Sequence, residues 1–68
     1  MMRSLGFDEL MDIAFKARKK KDKKILSEVN QEFNYRVTRR TKMGKKPVKT
    51  SLAGQEQTKK WIEELNKK

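Results

Sequence analysis

Apolar residues return at intervals of three and four through the first part of the chain: Phe7, Leu10, Met11, Ala14 and Ala17, with Ile13 widening the same face. That spacing places them on one side of an α-helix. Ser4 stands where a hydroxyl can accept from the first free amides, and Asp8 and Glu9 lie near the positive end of the helix dipole. Lys19, Lys20 and Lys21 fall at the negative end, where cations are favoured. The spacing predicts a helix over about 6–21. A second stripe, Ile25, Leu26, Val29 and Phe33, predicts another over about 24–34, with Glu28, Asn30, Gln31 and Glu32 on its wet side. Both stripes are short and each must bury against something, which argues for a bend near Lys21–Asp22. Asn34 is a suitable stop for the second helix, because Asn tolerates the left-handed conformation.

The pattern then loses its period. Tyr35, Val37 and Arg39 alternate with Arg36, Thr38 and Arg40, as in a strand, yet Val37, Arg40, Thr41 and Met43 also fit a short helix. Gly44 and Pro47 break any regular element, so Lys45–Gly54 reads as loop or hairpin. From Gln55 to Lys67 a narrow stripe of Trp61, Ile62 and Leu65 predicts a closing helix, with Leu52 placed to pack on its first turn. The expected fold is mostly α: a bundle of about three helices in one small domain over 1–68. A helix-turn-helix with a short basic wing or hairpin is compatible with the same pattern.

Composition limits what such a chain can do. Its 68 residues bury only about 60% of the surface exposed on unfolding. Apolar residues make up 34% and charged residues 41%, so a thin helical core is expected and a large enclosed pocket is not. There is no Cys and no His, which removes disulfides, thiolate metal sites, the cysteine nucleophile and the usual general base. No remaining titratable groups fall at a recognisable catalytic spacing, so the expectation is a protein without enzymatic activity, cofactor or metal. The opening Met1-Met2-Arg3-Ser4-Leu5-Gly6-Phe7-Asp8-Glu9 soon turns acidic and does not read as a secretory leader. No window approaches the eighteen apolar residues of a membrane span. A cytoplasmic protein of a bacterium, phage or plasmid fits these features.

Charge changes the picture most. The formal net charge is +10, and fourteen of the nineteen basic residues sit in two runs. The first is Lys16, Arg18, Lys19, Lys20, Lys21, Lys23 and Lys24, interrupted by Asp22. The second is Arg36, Arg39, Arg40, Lys42, Lys45, Lys46 and Lys49, with no acid between Tyr35 and Gln55. Such patches point to a polyanion, most commonly nucleic acid. A Lys-rich run is equally at home as a solvated face, and the first run suits either reading. The second is richer in Arg and unbalanced by acid, which favours binding. Tyr35 beside Arg36 suits stacking on an unpaired base, and suits equally a place at the edge of the core next to Phe33. Trp61 reads more naturally as a core or docking anchor than as a stacking platform. Phe7, Phe15 and Phe33 read as core.

Within a helix-turn-helix frame, Ile25–Phe33 would support, Asn34 would turn, and Val37–Met43 would read a groove with Arg36, Arg39 and Arg40 reaching bases. Gly44–Gly54 would lie as a wing along phosphates. The order of Ser27-Glu28-Val29, Val37-Thr38-Arg39-Arg40-Thr41, Gly44-Lys45-Lys46-Pro47-Val48 and Trp61-Ile62-Glu63-Glu64-Leu65 resembles the small winged-helix DNA binders of the excisionase and MerR-like type. The resemblance implies DNA binding through the helix after the turn. It departs from that pattern at Asn30, where a small residue is usual, at Arg40, usually apolar, and in a wing without a closing aromatic or Arg pair.

The expected function is therefore a small regulatory or architectural DNA-binding protein, gripping double-stranded DNA mainly by phosphate contacts from Lys16, Arg18, Lys19, Lys20, Lys23, Arg36, Arg39, Arg40, Lys42, Lys45, Lys46 and Lys49. A homodimer would be needed to read two half-sites. The alternative is a phage- or plasmid-type inhibitor or adaptor that docks on a larger acidic protein through Trp61, Ile62 and Leu65. RNA binding is the weaker third reading.

Overall fold

A computed structural model describes residues 4–67. Met1 to Arg3, where the segment read for a leader begins, and Lys68 lie outside the described residues. Three helices follow one another: α1 (Phe7–Lys20), α2 (Lys23–Lys42) and α3 (Lys49–Asn66). No strand occurs among the described residues. The mostly α reading, a bundle of three helices, is the observed architecture.

Each boundary has a local cause. α1 starts at the extended N-cap Gly6, with Asp8 and Glu9 in its first turn and Arg18, Lys19 and Lys20 in its last. It ends where Lys21 turns left-handed at φ 57° and the amide of Asp22 donates to the Ala17 carbonyl at 2.8 Å. Asp22, the one acid inside the first basic run, caps α2: its Oδ1 accepts from the Ile25 amide at 3.2 Å. The corner between α1 and α2 thus falls at Lys21–Asp22.

α2 is longer than its apolar stripe suggests. It runs through Asn34 without a break to Lys42. Neither a turn at Asn34 nor a strand over Tyr35–Met43 forms, so the helix-turn-helix reading fails at its turn. Asn34 stays helical with its Oδ1 accepting from Gln55 Nε2 of α3 at 2.9 Å. The helix stops at Gly44, whose φ of +75° lets the Gly44 and Lys45 amides close on the Thr41 and Arg40 carbonyls at 3.0 and 2.9 Å. Only Met43 to Val48 then separates α2 from α3, which begins at Lys49, six residues before Gln55. The expected wing or hairpin is a short connector, because Gly54 does not break α3 and lies inside it.

The core is thin. Leu10, Ala14 and Ala17 of α1 meet Leu26, Val29 and Phe33 of α2, all but fully buried. Phe7 tilts against Phe33 with ring centroids 5.9 Å apart. α3 lies along α2 over the larger contact and presents small residues to it, the buried Ser51, Gly54 and Thr58. Trp61, Ile62 and Leu65 pack against the same core while staying partly exposed. Two residues read as solvated are not. Glu32 is buried, and Asn30 Nδ2 donates to the Gln55 carbonyl at 2.9 Å and to Thr58 Oγ1 at 2.8 Å, tying α2 to α3. α2 faces helices on two sides, so its buried arc is wider than four apolar residues mark out. Phe15, read as core, is 45% exposed and stacks on Trp61 at 6.3 Å.

Candidate nucleic-acid interface

The two basic runs occupy opposite ends of α2. With 20 residues at about 1.5 Å each, that helix holds them about 30 Å apart. This is most of the 40 Å long axis of a molecule measuring 40 × 23 × 16 Å.

The first run divides by occupation. Lys16 pairs with Asp12 at 3.1 Å along the exposed face of α1. Arg18 lies 5.5 Å over the Trp61 ring, with Glu64 at 3.8 Å, and Lys19 sits 5.1 Å over Phe15. These three cations are engaged with neighbouring side chains. Lys20, Lys21, Lys23 and Lys24 project from the corner between α1 and α2, all exposed. Lys23 and Lys24 begin α2, where cations oppose the helix dipole.

The second run also splits. Arg36 is a structural residue: its Nε donates to Glu32 Oε2 at 3.0 Å and its Nη2 to the Leu5 carbonyl at 2.6 Å, which pins the segment before α1 onto α2. Arg40 Nε donates to the Lys46 carbonyl at 2.9 Å and folds the connector back on α2. Both arginines are thus engaged within the protein while lining the groove between α2 and α3. Arg39, Lys42, Lys45, Lys46 and Lys49 are exposed around the end of α2 and the start of α3.

Between these elements lies an open groove of about 530 Å³. Phe7, Tyr35, Met43 and Val48 give it an apolar side, and Arg39, Arg40 and Lys45 a cationic one. Arg39 and Met43 also border a shallower hollow with Thr38 and Lys42. Glu32 is the acid on the groove, and Arg36 neutralises it. Thr50 and Ser51 complete the wall from the first turn of α3. Sequence reading missed both by placing them in a loop. The available signal was Pro47 followed within four residues by Thr and Ser, a common helix-start composition.

The first turn of α3 has no side-chain cap. Its first amide to find a backbone acceptor is that of Leu52, which donates to Val48 at 3.1 Å. Among the described residues the amides of Lys49, Thr50 and Ser51 meet no protein acceptor. The proposed docking residues Trp61, Ile62 and Leu65 lie elsewhere, committed in part to the core.

Among the described residues no helix is long and apolar enough to cross a membrane. No family model, no curated protein and no solved structure matches this chain.

Proposed function

We propose that this chain is a small nucleic-acid-binding protein of regulatory or architectural type that grips double-stranded DNA through its phosphates. The observation that carries the reading is the set of five exposed cations, Arg39, Lys42, Lys45, Lys46 and Lys49, at the end of α2 and the start of α3, of which Arg39 and Lys45 line a groove whose acid is already neutralised. A polyanion is the partner such a surface attracts at long range. The second cationic group, Lys20, Lys21, Lys23 and Lys24, stands about 30 Å away, close to the roughly 34 Å of one duplex turn. That spacing favours a duplex over a short acidic peptide. With no helix-turn-helix and no wing, affinity rests on the backbone and sequence preference is modest.

Fluorescence anisotropy with duplex DNA, single-stranded DNA and RNA at several salt concentrations tests this. Duplex binding at micromolar or tighter Kd with a log–log salt slope of magnitude about five or more is expected. Arg39→Ala with Lys42→Ala should reduce that slope by about two and leave folding intact. Arg36→Ala should instead destabilise the fold by about 2 kcal/mol, because it strands Glu32 and releases Leu5. Flat anisotropy on all three polymers near physiological salt would refute the reading.

The adaptor reading is favoured by one feature, the exposed Phe15 stacked on Trp61. Phe15→Ser separates it cleanly, since the residue is remote from the groove and outside the buried core. The change abolishes a protein complex made through that patch and leaves DNA binding unaltered.

A further inference from the structure

Phosphate contacts call for cations, yet the groove at the end of α2 is apolar as well. Tyr35, Met43 and Val48 line it while 37, 58 and 41% exposed. Large apolar side chains gathered in solvent at one place mark a contact surface. Tyr35 and Arg39 stand four positions apart on α2 and Met43 follows four further on, so the three share one face. All three border both the groove and the shallower hollow beside it, and so form a ridge with an opening on either side. Neither Arg39 nor Lys45 makes an ion pair among the described residues, and Glu32 is held by Arg36 at 3.0 Å. The groove's volume of about 530 Å³ falls within the roughly 300–1,000 Å³ of small-ligand sites.

We propose that this groove takes one unpaired nucleotide of DNA where its strand leaves a duplex. The base lies against Tyr35, Met43 and Val48, and the flanking phosphates meet Arg39 and Lys45. The proposal rests on the nucleic-acid reading and adds to it a contact that reads strand structure as well as charge. A nucleotide joins an apolar, stackable base to an anionic backbone, which matches the two sides of the groove. Paired DNA offers phosphates but keeps its base faces in the stack, so a plain duplex leaves the apolar side unfilled. An acidic peptide would also match the charge of the groove. It gives no role to Lys20, Lys23 and Lys24, about 30 Å away along α2, whereas a duplex continuing from the unpaired nucleotide reaches them.

The test compares two probes by fluorescence anisotropy: a 16-base-pair duplex with a short single-stranded thymidine extension, and the same duplex with an abasic extension of equal length. The probes carry equal charge and differ only in the unpaired bases. Wild-type protein should bind the thymidine probe about tenfold more tightly, the worth of one stacked base. That ratio should persist as salt rises, because no counterion is involved. Met43→Ser should cut the ratio to about threefold or less. Its melting temperature should stay near wild type, since Met43 is exposed and outside the core. Equal affinity for both probes with a steep salt slope overturns the nucleotide site and leaves the nucleic-acid reading standing. A ratio unchanged in Met43→Ser overturns the groove as the place of the base, and its loss in Phe15→Ser would move the base to the Phe15–Trp61 stack. Absence of binding to either probe sinks both readings. A leucine-bearing acidic peptide that then binds wild type and not Met43→Ser would give the groove to a protein.

Discussion

Gly54 shows how one missing side chain sets the distance between two helices. It lies inside α3, where glycine costs about 1 kcal/mol relative to alanine. A Cβ built there would stand 2.5 Å from Phe33 Cζ and 2.7 Å from both Cε atoms. Phe33 is fully buried against Phe7 and the core, so its ring cannot swing away. Gly54→Ala should therefore destabilise the protein by about 1–3 kcal/mol, the overpacking cost exceeding the gain in helix propensity. Chemical denaturation monitored through Trp61 emission measures it, and a stabilised variant would show that α3 slides on α2. At this scale the sequence was an uneven guide. Leu10, Ala14, Leu26 and Phe33 were legible as core because helical spacing marks them. Gly54 read as a loop residue, since its partner lies twenty-one positions upstream. Arg36 looked equivalent to Arg39, because nothing local distinguishes an arginine bound to the Leu5 carbonyl from one in solvent.

At the level of elements, the ends decide most of what the chain does. The corner between α1 and α2 is made by Lys21 at φ 57°, a conformation that costs a side-chain-bearing residue about 1 kcal/mol and glycine nearly nothing. Lys21→Gly should raise stability by about 0.5–1 kcal/mol, read as a higher melting temperature, with helix content unchanged. A lower melting temperature would mean that the lysine makes contacts worth more than the strain. This corner was legible because the two stripes change direction there and Asp22 is a good cap. The far end of α2 was not. Its last nine residues carry too few apolar side chains to show a period, none of them is buried, and the side-chain bond that joins them to α3 is polar, Asn34 Oδ1 accepting from Gln55 Nε2. A helix held by such contacts leaves no hydrophobic stripe. The same gap concealed the start of α3, and with it Thr50 and Ser51.

Across the whole molecule, the question is whether two cationic ends held apart by a rigid α2 act on one duplex. Each phosphate neutralised contributes about 0.9 to the salt slope on B-DNA, so the slope counts contacts. Lys16, Arg18 and Lys19 are engaged locally, which leaves Lys20, Lys21, Lys23 and Lys24 at the first end; Lys21 forms the left-handed corner, so Lys20, Lys23 and Lys24 are the informative group. Replacing these three with Gln should lower the slope by about 2.7 if both ends grip the duplex. It should leave the slope untouched if that run is a solvated face. Folding does not confuse the comparison. Lys23 and Lys24 oppose the dipole of α2, so their neutralisation is expected to hold or slightly raise the melting temperature, while Lys20, which favours the end of α1, loses a few tenths of a kcal/mol at most. Reduced slope with undiminished stability would establish a two-ended grip spanning about one helical turn. An unchanged slope would confine binding to the groove between α2 and α3, and the long α2 would serve only to carry the core.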